Sequence, residues 1–301
     1  MATPVIIDTD PGIDDAVAVF YALRSPAFRV LGLCTVSGNI SIERTTENAG
    51  RILACAGVDI PVVSGADRPL ARAPFAAIDV HGNDGLGGVS LPTPERDPLT
   101  GAVDWLAMTL NAEPPGTIDL LVLGPMTNVA TLIQRDLAAA RRIRRIIAMG
   151  GAIHETGNVG PKAEFNMAAD PEAAEVVFAA GLPLTLIPLD VTRQVRATPG
   201  DVEALMQSKR PEAKASGTLI DAYFKSTDGG DISASRPLHD PCVMLFAEAP
   251  ELFECETHSL RVDQSPPRDG GELVEGPHSV NVALRVDGAK ALSLLLARLT
   301  A

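Results

Sequence analysis

Four carboxylates lie within eight residues near the start of the chain, directly after a short apolar run. They are Asp8, Asp10, Asp14 and Asp15. Their mutual repulsion is costly unless a cation or many hydrogen bonds compensate it. Pro11 fixes one backbone dihedral and Gly12 permits a sharp turn, so the loop can direct Asp10 and Asp15 at one point. A set of oxygen ligands suits a hard cation, either Ca²⁺ or Mg²⁺.

Two other interpretations stay open for this acidic loop taken by itself. Asp14 or Asp15 can cap the following helix, because the helix dipole favours a carboxylate in the first turn. Capping alone does not account for four carboxylates together. A strand followed by Asp-x-Asp also resembles the beginning of an aspartate-nucleophile phosphatase, in which one carboxylate is phosphorylated beside Mg²⁺.

The segments that must position the loop alternate between short β-branched runs and longer helical patterns. Strands are predicted at residues 5–8, 29–36, 61–64, 118–123, 143–149 and 184–189. Helices are predicted at residues 14–23, 42–56, 104–110, 128–139 and 171–180, the last capped by Asp170. Continuous apolar strands favour a sheet covered on both faces, and the alternation favours parallel βαβ units.

The part of the chain after residue 190 is less regular. Helical patterns occur at residues 211–224, 241–247 and 289–299, and strand patterns at 259–262 and 280–286. No long linker or internal repeat interrupts the sequence. The chain is therefore predicted to form one α/β domain over residues 1–301, with a central, mostly parallel, Rossmann-like open sheet flanked by helices. Ligands of such sheets bind at the carboxyl ends of the strands, where the acidic loop lies.

The amino-acid composition of the chain restricts the classes of partner that it can bind. The 301 residues include 38 acidic and 25 basic side chains, a formal net charge of −13, which argues against nucleic acid or an anionic membrane surface as a partner. No apolar run reaches membrane-spanning length, and the first residues lack the pattern of a secretory signal. Cys34, Cys55, Cys242 and Cys255 show no CxxC spacing. Reduced thiols and a cytoplasmic location are expected.

Further motifs follow the acidic loop in a fixed order. They are residues 37–39 (Ser-Gly-Asn), 81–82 (His-Gly), 124–128 (Gly-Pro-Met-Thr-Asn), 149–151 (Met-Gly-Gly), 157–158 (Gly-Asn), 163–166 (Ala-Glu-Phe-Asn), 170–174 (Asp-Pro-Glu-Ala-Ala) and 239–241 (His-Asp-Pro). With the Asp-Thr-Asp-Pro-Gly-x-Asp-Asp segment at residues 8–15, the chain resembles the nucleoside hydrolase family of the inosine–uridine type. The ordered series weighs against the phosphatase interpretation.

The resemblance implies hydrolysis of the N-glycosidic bond of a ribonucleoside to ribose and a free base. It implies that Ca²⁺ is held by Asp10, Asp15, Asp240 and the Leu123 carbonyl, with a Ca²⁺-bound water as nucleophile and Asp10 as general base. The residues it assigns to the substrate are Asp14, Asn39, Met149, Asn158, Glu164, Phe165 and Asn166. Members of the family are usually homodimers or homotetramers, which we expect here as well.

These residue types suit the reaction. Positive charge develops on the ribose in the oxocarbenium-like transition state, so surrounding carboxylates help most there. The leaving base needs protonation or a hydrogen bond, for which His81 and His239 are the candidates. Local alternatives exist, since Asn39 and Asn158 each follow a glycine as turn residues do, and His81 can merely tie a loop.

One segment departs from the family pattern. Residues 223–238 contain Asp228-Gly229-Gly230-Asp231 where well-known members place Tyr, Gln or Thr side chains over the base. Tyr223, Phe224 and Thr227 are the remaining candidates to reach it. Purine, pyrimidine and nonspecific preferences all stay open, and so does a modified or non-nucleoside riboside. A non-catalytic, Ca²⁺-dependent ribose-binding protein is a further alternative, disfavoured because Asp10, Asn166 and His239 are all present.

Overall fold

The alternating patterns form one large, mostly parallel sheet in the computed structural model, which describes residues 2–94, 96–227, 235–265 and 270–301. Its strands are β1 (Thr3–Thr9), β2 (Phe28–Thr35), β3 (Val62–Ser64), β4 (Leu99–Thr100), β5 (Asp119–Val122), β6 (Arg145–Met149), β7 (Leu184–Ile187), β10 (Phe253–Val262), β11 (Leu273–Glu275) and β12 (His278–Val286). The strand order is β11-β10-β12-β7-β6-β5-β1-β2-β3-β4. The strands from β12 to β4 pair in parallel, whereas β10 pairs antiparallel with both of its neighbours, β12 and β11. A separate antiparallel pair joins β8 (Arg196–Ala197) to β9 (Arg236–Pro237).

Helices cover both faces of this sheet. They are α1 (Ile13–Arg24), α2 (Ile42–Ala56), α3 (Ile78–His81), α4 (Ala102–Ala112), α5 (Thr127–Arg135), α6 (Leu137–Ala140), α7 (Phe165–Ala169), α8 (Pro171–Ala179), α9 (Leu189–Thr192), α10 (Pro199–Gln207), α11 (Pro211–Thr227), α12 (Pro241–Glu248) and α13 (Gly288–Thr300), with a 3₁₀ turn at Pro250–Leu252. Successive side chains of β1 enter opposite layers. Val5 and Ile7 pack with α1, α12 and α13, while Ile6 packs with α4, α5 and α8. The predicted fold class is confirmed.

The element predictions are accurate where the apolar pattern is continuous. Each predicted strand before residue 190 overlaps an observed strand, and Asp170 caps α8 by accepting the Ala173 N–H at 3.0 Å. The single helix predicted at residues 128–139 is wrong, because the chain forms α5 and α6 there. Asp136 leaves helical geometry between them and its side chain caps α6 by accepting the Ala139 N–H at 2.9 Å. The strand predicted at residues 259–262 begins earlier, at Phe253.

The path of the chain through the sheet defines the functional edge. From β1 the chain moves outward through β2, β3 and β4, and then returns to pair β5 with the other side of β1. The strand order therefore reverses between β1 and β5, which is the position where open α/β sheets bind ligands. The loops after β1 and β5 meet at this point. No helix of the described ranges has the length and apolarity that crossing a bilayer requires.

Candidate active site

The acidic loop is closed by its own carboxylate, Asp15, at the first turn of α1. Asp15 accepts hydrogen bonds from the Gly12 N–H at 2.9 Å, the Thr9 hydroxyl at 2.6 Å and the Asn39 amide at 3.0 Å. The helix-capping interpretation is thus correct for Asp15, yet it leaves the other carboxylates unexplained. Burial, together with the neighbouring Asp14 charge, raises the pKa of Asp15.

Asp10 is buried and tightly enclosed. Its Oδ2 accepts the Asn39 N–H at 2.7 Å, while its Oδ1 has no hydrogen-bond partner among the described residues. Two glycines make room for it, since a Cβ on Gly38 would lie 2.1 Å from Oδ2 and one on Gly124 would lie 2.4 Å from Oδ1. Burial and the nearby Asp15 charge raise the pKa of Asp10 well above its ordinary value. A buried oxygen without a partner is costly unless a cation or proton compensates it.

Asp240 reaches the same point from the start of α12. One oxygen each from Asp14, Asp15 and Asp240 lies within 4.8 Å of the others. Burial and the charges of these neighbours raise the pKa of Asp240 well above its ordinary value. Asp14, assigned to ribose from the sequence, therefore belongs to the carboxylate cluster, whereas Asp10 is not one of its three members. The oxygen donors, their like charge and the burial of Asp15 and Asp240 fit a hard divalent cation.

Leu123, whose carbonyl is the fourth expected ligand, directly follows β5 and lines the same cavity as Asp14 and Asp240. Asn166 donates its amide to that carbonyl at 2.6 Å and to the Met149 carbonyl at 3.3 Å. A carbonyl oxygen has two lone pairs, so the Asn166 bond leaves one available. Through these two hydrogen bonds, Asn166 of α7 connects the ends of β5 and β6.

Glu164 organises the start of α7. Its carboxylate accepts N–H groups from Gly151 at 3.0 Å, Asn166 at 2.9 Å and Met167 at 3.2 Å. Burial raises the pKa of Glu164 to about 7, against the opposing effect of these hydrogen bonds. Asn158 approaches the same turn, where its Oδ1 accepts the Phe165 N–H at 2.9 Å. Asn39 thus bonds to the acidic loop far away in the sequence, and Asn158 bonds to the start of α7 seven positions later.

These groups surround a cavity of about 490 Å³. The predicted residues that line it are Asp14, Asn39, His81, Leu123, Met149, Asn158, Glu164, Phe165, Asn166, His239 and Asp240. Asp10 and Asp15 are buried outside the lining and contact it through Asn39. The structure therefore brings all the predicted site residues into one region.

The two histidines are held by different partners. His81, at the end of α3, accepts the Ile13 N–H on Nδ1 at 3.1 Å, so its neutral ring carries the proton on Nε2. His239 Nδ1 lies 2.7 Å from the Thr192 hydroxyl. Burial lowers the pKa of His239. Both rings line the cavity and have chemistry suited to a leaving base.

Sequence reasoning missed several contributors. Phe75 meets Phe165 edge to face, with ring centroids 5.3 Å apart, and both line the cavity. Arg193 lines it too and donates to Glu155 Oε2 at 2.7 Å. No motif marks these residues, because their partners lie far away in the sequence.

The atypical segment is only partly described. Tyr223 lines the cavity, as a contact to the base requires. Phe224 instead is buried in the core, with the Arg236 guanidinium over its ring, so the expectation that it reaches the base is wrong. The Asp228-Gly229-Gly230-Asp231 stretch lies outside the described residues, and so does the side chain of Thr227.

Comparison with known proteins agrees with this geometry. The sequence model of the inosine-uridine preferring nucleoside hydrolase family matches residues 5–293. The chain is 38% identical over 295 residues to the non-specific ribonucleoside hydrolase RihC of Escherichia coli, covering 95% of each protein. It superposes on the plant nucleoside hydrolase PpNRh1 with a TM-score of 0.94 and 36% identity, covering 100% of both chains. It also superposes on a purine-preferring ribonucleoside hydrolase from Gardnerella vaginalis with a TM-score of 0.90 and 28% identity, covering 99% of this chain and 98% of the other. The chain belongs to the inosine-uridine preferring nucleoside hydrolase family, as its ordered motifs predict.

Proposed function

We propose that this protein hydrolyses the N-glycosidic bond of ribonucleosides to ribose and free base. The observation that carries the proposal is the cluster of Asp14, Asp15 and Asp240, with the buried Asp10 beside Asp15. Asp10 Oδ1 has no hydrogen-bond partner among the described residues. The names of the relatives, RihC and PpNRh1 among them, support the same reaction.

The carboxylates suit a resident Ca²⁺, for which we propose Asp10, Asp15, Asp240 and the Leu123 carbonyl as ligands. The donor set is all oxygen, and burial raises the pKa of each carboxyl group, which makes a compensating cation favourable. When bound, the cation would orient the ribose diol and make the attacking water more acidic.

Asp10 is the proposed general base. Its Oδ1 is free to accept a proton, and its Oδ2 is held by the Asn39 N–H at 2.7 Å, so the carboxylate has a fixed orientation. Asn39 and Asn166 offer both donors and acceptors to the ribose hydroxyls, while Glu164 accepts. The surrounding negative charge stabilises the positively charged ribose more in the transition state than in the bound substrate.

We propose that His81 and His239 protonate the leaving base or donate a hydrogen bond to it. Each ring lines the cavity and has its Nδ1 engaged by the protein, which leaves Nε2 for the substrate. Phe75, Phe165 and Tyr223 supply the apolar surface against which a nucleoside can lie. The relatives are described as non-specific and as purine-preferring, so a panel of substrates must decide the base preference.

A nucleoside panel with Ca²⁺, followed by chromatography of the released base, tests the function. We expect base release by the wild type, and its loss together with weaker Ca²⁺ binding in Asp10→Ala, with the fold retained. Asp104→Ala is the matched control, since that side chain is 72% exposed. Nucleoside binding without base release would support the ribose-binding alternative, and phosphate on Asp8 or Asp10 would support the phosphatase.

Three further properties complete the proposal. We propose that residues 1–301 act as one hydrolase domain, that the protein is cytoplasmic, and that it assembles as a homodimer or homotetramer. A ribonucleoside is then the partner, with no role for nucleic acid or membrane. Light scattering after size exclusion measures the assembly, and a monomeric mass at working concentration would contradict it.

A further inference from the structure

The short segment that contains α9 contacts two walls of the cavity. Asp190 accepts the Ile153 and His154 N–H groups, both at 2.7 Å, and the neighbouring Arg193 donates to Glu155. These bonds attach the segment to the loop that leads to Asn158. On its other side, Thr192 contacts His239. The segment is therefore anchored on one wall while it supports a histidine on another.

Thr192 is fully buried, and within the described part of the chain His239 Nδ1 is the one hydrogen-bond partner of its hydroxyl, at 2.7 Å. A buried hydroxyl hydrogen needs an acceptor. The Nδ1 lone pair is the acceptor that the contacts provide, so Thr192 donates and the neutral His239 ring carries its proton on Nε2. The opposite arrangement would leave the hydroxyl hydrogen without an acceptor.

The backbone beside His239 is held independently of this bond. The Leu238 N–H donates to the Val195 carbonyl at 2.9 Å, and Asp240 begins α12 directly afterwards. Loss of the Thr192 hydroxyl therefore frees the rotation and proton position of the His239 ring while the surrounding backbone stays attached. This separation makes the contribution of the hydroxyl measurable.

We propose that Thr192 is a positioning residue, which orients His239 and keeps its Nε2 proton directed at the leaving base. The proposal rests on the proposed nucleoside hydrolysis and assigns His239 to leaving-group activation. His81 reaches the same tautomer through a backbone donor, the Ile13 N–H, which every replacement of Ile13 except proline keeps. Thr192 is thus the partner through which histidine orientation can be altered selectively.

The test compares two substrates with different leaving groups. A nucleoside needs its base protonated or hydrogen-bonded, whereas 4-nitrophenyl β-D-ribofuranoside releases a stable anion that needs neither. In Thr192→Val, kcat/KM for nucleosides should fall by about 10- to 100-fold, as losses of an orienting partner do. For the nitrophenyl riboside it should stay within about threefold of the wild type. Thr192→Ser keeps the hydroxyl and should restore nucleoside hydrolysis.

Nuclear magnetic resonance of the ring nitrogens gives a second measurement, independent of how well the valine variant folds. The His239 signals of the wild type should show a proton on Nε2 and an unprotonated Nδ1. A proton on Nδ1, or an equal loss on both substrates in Thr192→Val, would overturn the positioning role. Wild-type protein that cleaves neither a nucleoside nor the nitrophenyl riboside would instead contradict the proposed function.

Discussion

Replacing Gly38 by alanine moves the Asp10 carboxylate without removing it. The added Cβ would lie 2.1 Å from Asp10 Oδ2 and 2.8 Å from the Pro125 side chain. Because real Cβ contacts are not shorter than 3.0 Å, the carboxylate must move by about 0.9 Å. Gly124 packs against the other carboxylate oxygen, since a Cβ on Gly124 would lie 2.4 Å from Asp10 Oδ1. Because the carboxylate of Asp10 is enclosed between these two glycines, it can make room for the new Cβ only by changing its orientation.

The size of the effect follows from this displacement. A misplacement of about 1 Å in a catalytic group costs about 100-fold in rate, so kcat of Gly38→Ala should fall by about that factor. Overpacking also lowers the free energy of unfolding, by about 1 to 3 kcal/mol. Calcium binding should weaken in parallel, because Asp10 is a proposed ligand. The two effects together distinguish displacement of Asp10 from general loosening of the fold.

The assay combines nucleoside hydrolysis, Ca²⁺ titration by calorimetry and urea unfolding. Gly200→Ala is the matched control, since the nearest atom to its added Cβ is Thr198 Oγ1 at 3.7 Å, an ordinary contact in α10. We expect that variant to have wild-type kcat. A folded Gly38→Ala protein with wild-type kcat and Ca²⁺ affinity would refute the assignment of Asp10 as base and ligand.

Three further predictions follow. Glu248→Gln should lower the free energy of unfolding by about 2 kcal/mol at pH 7, because the carboxylate accepts from Tyr21 at 2.6 Å and from Arg298 at 2.6 Å. Asp170→Ala should cost about 3 kcal/mol in urea unfolding, since it removes the cap of α8 and the acceptor of the Leu70 N–H at 2.9 Å. Removal of the cation with a chelator should lower Tm by about 5 °C, and added Ca²⁺ should restore it.

The pH dependence of Glu248→Gln provides its control. Burial raises the pKa of Glu248, but hydrogen bonds from Arg298, Ser25 and Tyr21 outweigh it and lower the pKa below its ordinary value. The carboxylate therefore stabilises the fold above the ordinary pKa of glutamate, and this contribution is lost as the pH falls through the lowered value. An unchanged difference between wild type and variant at acidic pH would contradict this account.

The central strands and the acidic loop were predictable because their signals are local. Asp10 and Asp15 lie five residues apart around a turn that one glycine and one proline can close, and the apolar residues 5–7 of β1 precede them. Asp136 shows the limit, because the apolar pattern continues through it from Leu132 to Leu137. Only the backbone geometry reveals that the helix ends and begins again there.

Contacts between distant segments could not be predicted in the same way. Phe75 stands 90 positions before Phe165, and Thr192 stands 47 positions before His239. Neither Phe75 nor Thr192 lies in a recognisable motif, and each contributes only because the sheet brings two loops to the same edge. Short elements such as α3 and α9 also escape periodicity, since four residues cannot complete an amphipathic pattern.

The separation of the carboxylates along the chain has a consequence for biosynthesis. Asp10 and Asp240 are 230 positions apart, and β1 cannot pair with β5 until residue 122 exists. During translation the acidic loop therefore emerges long before its partners, and its charges stay hydrated while the sheet is incomplete. On the proposed ligand set, no nascent fragment shorter than about 240 residues can bind the cation or hydrolyse a nucleoside. Activity thus reports that nearly the whole chain has been synthesised and folded.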